Sequence, residues 1–298
     1  MPNVALSKQT AWSQLQNRKK EKTVKTCVRL TVTVGAMVAL LLVSYPGAAQ
    51  EQPQLTTADG WYKYGVPFPD LNGPVPRMPD GKPDMSGQWA TQRRADITND
   101  RVPGFIPELP YTEWGQRQWD NYDAEVNGDY AGSCMPFGWS RIVHGPRLVR
   151  FVHTEDILVV LAEQGTWFHI VFLDGRPHDP NMYPTWWGDS VGHWEGDTLV
   201  VETTNMTGYI KLDTGGHPIS SEATFTQTFN RVNFGTMEHT FTVDDPKTYT
   251  EPFTIHNTWP LEPLTIRMLE YSCMEGNLEN LITGSITPWA PPEGDDAP

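Results

Sequence analysis

Past Cys134 the chain alternates apolar and polar positions with a period of two. Phe225 shares a face with Phe229, Met237 shares one with Phe241 and Val243, and Phe253 shares one with Ile255. Successive strand side chains point to opposite faces, so this alternation marks strands with one buried side. It predicts strands at 148–153, 157–162, 166–173, 190–194, 198–204, 223–232, 236–243, 249–259 and 266–273, with an earlier one at 86–91. Tight connections such as Glu163-Gln164-Gly165, Glu195-Gly196-Asp197 and Asp244-Asp245-Pro246 separate them. No alternation of strands with crossover helices and no internal repeat interrupts the series. The expected fold is therefore mostly β, a single antiparallel β-barrel or a sandwich, with one or two short helices before it.

The helical signal is a spacing of four, Trp114, Gln118, Tyr122 and Val126, with Pro110 placed for the first turn. Two other segments frame the strands. Residues 1–49 carry Lys19, Lys20, Lys22, Lys25 and Arg29, then an apolar run over 30–43, then Pro46, Gly47, Ala48 and Ala49. That order is a positive, apolar and small-residue sequence of a secretory signal, cleaved near Ala49. The run is shorter than the roughly 20 residues of a membrane span; an uncleaved anchor is the alternative. Residues 50–83 are dense in Pro and Gly and read as an extended lead-in on the surface of a barrel domain at 84–298.

Charge narrows the partners. The whole chain has 22 basic and 36 acidic residues. Residues 1–49 hold seven of the former and one of the latter, so the remainder has 15 against 35, a net charge of −20. Such a balance opposes nucleic acid and anionic membrane surfaces without naming a partner; a small-molecule ligand or substrate is expected from the barrel and its long loop instead. Nothing in it fixes an oligomeric state. Of the three cysteines, Cys27 leaves with the signal, and Cys134 and Cys273 remain as a pair for an oxidising compartment. A disulfide between them is expected, with two buried thiols or a redox pair as alternatives.

Six motifs occur in order: DGKPDMSGQW (80–89), CMP (134–136), DGRPH (174–178), SVGHWEGDTLVVETT (190–204), SEA (221–223) and EYSCMEGN (270–277). As a set they resemble the signatures of a family of exported, largely uncharacterised bacterial proteins. The resemblance implies export and fold; where family members often have His after the second Cys, this chain has Met274. The Gly87-x-Trp89 element near the first strand is similar to that of lipocalin-like barrels, an architectural analogy.

Candidate chemistry centres on histidines with carboxylates. His239 falls on the stripe of Met237, Phe241 and Val243, and His169 on that of Trp167 and Val171; each is either an acid–base group facing a ligand or a core histidine satisfied by hydrogen bonds. Arg150, between Leu148 and Val152, and Glu202, between Val200 and Thr204, either pair or clamp a ligand inside a barrel or face water.

The connection 174–188 is longer than most strand turns and gathers Asp174, Arg176, His178, Asp179, Tyr183, Trp186 and Trp187; it is a ligand mouth or a proline-pinned surface loop. His193 and Glu195 flank Trp194, and His217 and Glu222 lie on the next connection. The candidate acid–base set is His178, His193 and His239 with Glu195, Glu222 or Glu202 as partners. The candidate ligand-binding set is Arg176, Tyr183, Trp186, Trp187, Trp194, Arg150 and His169. No HxxxH, HExxH or CxxC spacing, nucleophile elbow, phosphate loop or dinucleotide motif is present, so neither metal nor organic cofactor is expected. Together these features point to a periplasmic or secreted barrel for a small, partly apolar, aromatic or sugar-like molecule. It acts as a lyase, isomerase or hydrolase without a cofactor, or as a carrier or envelope binding protein without turnover.

Overall fold

The structure, a computed structural model, describes residues 69–99 and 104–290. The expected signal at 1–49 and residues 50–68 of the lead-in lie outside the described residues. Nine strands close into one barrel: β1 (Gly87–Ala90), β2 (Leu148–His153), β3 (Ile157–Ala162), β4 (Phe168–Phe172), β5 (Asp189–Glu195), β6 (Thr198–Thr204), β7 (Thr224–Asn233), β8 (Thr236–Asp244) and β9 (Phe253–Glu262). Each pairs with its sequence neighbour and β1 pairs with β9. The architecture is a barrel rather than a sandwich.

One joint is not antiparallel. β4 and β5 run parallel and meet at the single pair Phe172–Val191. The cause is parity: directions cannot alternate around a closed ring of nine strands, so an odd number of neighbouring pairs must be parallel. A parallel pair cannot be joined by a hairpin, and this accounts for the long connection at 173–188. The expected strand at 266–273 does not form; the pairing of β9 with β1 has already closed the sheet and leaves no edge for it.

The long helix expected at Trp114–Val126 is two helices, α1 (Glu113–Asp120) and α2 (Ala124–Asn127). Thr112 caps α1 through Gly115 N–H, and the Asp123 side chain accepts from Glu125 N–H, starting a new helix where one was expected to continue. A third helix, α3 (Gly138–Val143), follows, and all three lie between β1 and β2 rather than before the barrel. α4 (Cys273–Thr283) comes after the last strand.

Inward positions alternate as the sequence predicts. Phe225, Gln227, Phe229 and Arg231 of β7 are buried, as are Met237, His239, Phe241 and Val243 of β8 and Ile255, Asn257, Trp259 and Leu261 of β9. Outward threonines bond across strands, Thr228 to Thr240 at 2.6 Å and Thr242 to Thr254 at 2.8 Å. Rings fill the lumen: Phe151 packs edge-on to Phe229 at 5.4 Å, and Trp259 meets both. At the end where β1 begins, the lead-in crosses the barrel: Phe234 N–H donates to Gly73 O, and Arg77 pairs with Asp197 at 2.6 Å. The opposite end is stoppered by α3, whose Trp139 is fully buried, and by Met206, Ile210 and Leu212 of the 205–223 connection.

Cys134 and Cys273 form a disulfide across 139 residues of sequence. α4 buries none of its residues, so this bond is a principal tether of the chain after β9. Closing so long a loop restricts the unfolded chain by about 5 kcal/mol in the entropy model. Without it the native tail also gains freedom, so the global loss is smaller than that figure. Replacing both cysteines by Ser is expected to speed proteolytic cleavage within 264–290 at least ~10-fold while the barrel stays folded. Unchanged protease resistance in that segment would contradict the tether.

Candidate functional site

His178 lies between two carboxylates. Its Nδ1 is 3.0 Å from Asp189 Oδ2 and its Nε2 is 3.1 Å from Glu202 Oε1. Asp189, at the start of β5, is buried and also accepts Asp179 N–H at 2.9 Å. Glu202 projects outward from β6 beside Val191. Ionised carboxylates only accept, so both contacts are made at once when the imidazole carries two N–H donors. With one donor only one of the two contacts is kept, and the nitrogen released can exchange a proton with a ligand.

The structure thus brings His178 and Glu202 of the expected set into direct contact and adds Asp189, which sequence reasoning missed, on the other ring nitrogen. Asp189 stands at a strand's first residue, where alternation has not begun to mark faces. The other expected members do not converge. His193 and Glu195 form an exposed pair at 3.4 Å on the outer wall. Glu222 is exposed, and His217 is buried under the stopper.

The lumen holds a polar chain whose polarity is dictated from one end. Arg94 Nε–H donates to Asn257 Oδ1 at 2.9 Å, which turns the Asn257 amide nitrogen toward His239 Nδ1 at 3.1 Å. His239 therefore carries its proton on Nε2 and donates it to Gln227 Oε1, also at 3.1 Å. The imidazole is stacked on Trp259 at 4.4 Å and is 1% exposed. His239 is thus a core histidine satisfied on both nitrogens, and burial holds its pKa well below the usual value. His144, packed edge-on to Phe241, is pushed down to about 4 by burial and by Arg94. Neither of its ring nitrogens, nor Arg94 Nη1, nor Gln227 Nε2, has a hydrogen-bond partner among the described residues.

His169 also faces inward. Its Nε2 is 2.7 Å from Ser190 Oγ, which meets Thr203 Oγ1 at 2.7 Å and accepts from Trp139 Nε1 at 3.2 Å. Burial pushes His169 down to about 4, so the ring is neutral at pH 7 and shares one proton with Ser190 Oγ across this contact. Trp187 stacks on His169 and Trp186 on Tyr130, so both tryptophans pack within the protein. Arg176 is closed onto Asp174 at 2.6 Å and lies 4.0 Å over Phe172. Trp194 tilts against His153, and Tyr183 is 78% exposed.

Arg150 and Glu202 do not meet inside the barrel; both stand on outward faces, since Val149, Phe151, Leu199 and Val201 are the inward residues of their strands. Arg150 instead lines a cavity of about 360 Å³ at the N-terminal end of β1. Its Nη2 donates to Gln88 Oε1 at 2.9 Å, and its Nε is buried without a partner. Phe151, Phe234, Leu261 and Leu264 make the apolar wall. Arg231 closes the floor, its guanidinium lowered to about 10 by burial, 5.1 Å over the Trp89 ring and bonded to the carbonyls of Asp84, Ser86 and Phe234. Burial raises the Glu262 carboxyl at the rim. Arg231 was missed because it reads as one polar residue on an alternating strand.

Asp96, Asp213 and His217 form a cluster of metal-ligating types among the described residues. Asp213 is already surrounded by donors: Oδ2 accepts Ile97 N–H and His217 Nδ1–H at 2.8 Å each, and Oδ1 accepts Gly216 N–H at 2.9 Å and His217 N–H at 3.3 Å. His217 Nε2 is 4.0 Å from Asp96, with the ring stacked on Trp119 at 4.2 Å. The arrangement ties the stopper to residues 96–97 and to α1. Comparison of the chain with protein-family models, with curated proteins and with solved structures found no match.

Proposed function

We propose that the protein is an exported β-barrel that binds a small, partly apolar anion in the cavity at the start of β1. The observation that carries the reading is Arg150: a half-buried guanidinium on an apolar wall that spends one N–H on Gln88 and has no carboxylate partner among the described residues. A cavity of about 360 Å³ falls within the size range of small-molecule sites, roughly 300–1,000 Å³. Export is supported by the leader-like residues 1–49, by the resemblance to an exported family and by the disulfide.

The test uses octanoate and octanol as probes. Octanoate is expected to bind, and Arg150→Met to weaken it at least ~10-fold, the value of one charge-assisted hydrogen bond. Octanol binding stays unchanged. Equal octanoate affinity of the two proteins would refute the assignment.

The second reading, acid–base catalysis, is favoured by His178 between Asp189 and Glu202. Incubation with an envelope metabolite extract separates the two. Depletion of a compound by the parent protein but not by His178→Gln would establish turnover at that site. Recovery of a bound compound unaltered from both supports binding alone.

A further inference from the structure

On the stoppered end of the barrel a second cavity, of about 390 Å³, opens between α1, α2 and the C-terminal segment. Lys211 lines it, from the 205–223 connection, with Tyr122 on one side and Trp289 on the other. The ammonium nitrogen lies 5.5 Å from the centre of the Tyr122 ring. Among the described residues it makes no hydrogen bond or ion pair. Asp129, whose charge reaches it, is committed elsewhere, bidentate to Arg141 at 2.7 and 3.1 Å and accepting Ala131 N–H.

The aromatic wall is held in place. Trp289 meets Tyr130, Trp186 and Tyr209 edge-on at 5.6 to 6.5 Å, and its backbone N–H donates to Ser133 Oγ at 2.8 Å. Asn277 anchors the same segment through Gly132 O, beside the disulfide.

We infer that Lys211 is a carbonyl-reactive amine and that its cavity takes aromatic aldehydes. An amine in a ring-lined cleft, with no carboxylate to hold it as an ammonium, is the arrangement in which a lysine acts as a nucleophile. Burial lowers its pKa to about 8, so near that pH half of it is the free base. The Nζ lone pair adds to the aldehyde carbon, and the carbonyl oxygen takes up a proton to give a carbinolamine. Loss of the second N–H proton with the hydroxyl, as water, leaves the C=N bond. One amine and one aldehyde thus give one imine and one water, with no change of oxidation state. The rings of Trp289 and Tyr122 supply flat faces for the aldehyde's aromatic group.

The experiment treats the oxidised full chain at pH 8 with benzaldehyde and sodium cyanoborohydride, which traps the imine as a benzyl amine, and maps the product by peptide mass spectrometry. Lys211 is expected to be labelled at least ~10-fold faster than Lys82 and Lys247, neither of which lines that cavity. Its rate is expected to be half-maximal near pH 8, and acetaldehyde to show a smaller preference for it than benzaldehyde does. Lys211→Arg removes the fast site. Equal labelling of the three lysines would overturn the inference. Equal preference with both aldehydes would overturn the assignment to aromatic carbonyls. The comparison among lysines is made within one folded protein, so no variant's stability enters it.

Discussion

Lowering the pH from 7 to 4 is expected to remove about 6 kcal/mol of stability, a large part of the 5–15 kcal/mol typical of a domain. The cause is buried neutral histidine. His144 and His169 are each held at about 4 by burial, against about 6.5 in the unfolded chain. A lowered folded pKa means that the unfolded state binds more protons between those values, so stability falls as pH falls from 6.5 to about 4. Each histidine contributes about 3 kcal/mol over that window. His239 adds to the loss, because a proton on its Nδ1 would face the amide N–H of Asn257.

The carboxylates act lower. Asp84 is held at about 2, first by His153, whose Nδ1 lies 3.8 Å from its carboxylate, so its contribution is complete above about 4 and lost as pH falls toward 2. Urea unfolding at pH 7, 5.5 and 4 measures the histidine window. His144→Phe replaces a ring with no hydrogen-bonded nitrogen and keeps the edge-on contact with Phe241. It is expected to retain about 3 kcal/mol of what the parent loses by pH 4. Equal pH slopes for the two proteins would show that His144 is not the group titrating.

Asp213→Ala is expected to cost about 3–5 kcal/mol, the usual consequence of removing one partner from a buried charged network. Three backbone N–H groups, those of Ile97, Gly216 and His217, and the His217 Nδ1–H lose their acceptor together. All lie at the stopper, where water cannot readily replace the carboxylate, since Asp213 and His217 are each 1% exposed. Chemical denaturation with both proteins gives the difference. Hydrogen exchange adds a local reading: Ile97 and Gly216 amides should lose protection before those of β7 and β8. A loss under 1 kcal/mol would mean that the four donors find other acceptors.

Most of the strands were legible because their inner faces are nearly pure. Phe225, Phe229, Met237, Phe241 and Val243 make alternation plain, and β2, β3 and β6 have the bounds their patterns predict. Orientation was harder where both faces are apolar. β2 carries Leu148 and Val152 outside and Val149 and Phe151 inside, so period two alone could not say whether the stripe of Arg150 faces inward or outward. The pattern marked the strands but neither their order nor the choice between barrel and sandwich, and the parallel joint was hidden because it follows from the number of strands in the ring. The expected strand at 266–273 failed for the same global reason: its local pattern is adequate, and the closed sheet has no place for it.

The sites divide along the same line. His178 and Glu202 were visible by residue type; their meeting depends on β5 and β6 lying side by side. Arg94, His144, Asp213 and Lys211 sit in stretches without periodicity, where neighbours are set by tertiary packing and no spacing along the chain announces them.

The central claim is that the cavity at the start of β1, rather than the ring-filled lumen or the outer wall at His178, receives the ligand. Backbone amide chemical shifts of the isotope-labelled protein, followed during titration with octanoate, test it most directly. The account predicts shifts clustered at Gly87, Gln88, Arg150, Phe234 and Leu261. Shifts confined to His178, Asp189 and Glu202, or to the lumen residues Gln227 and His239, would contradict it.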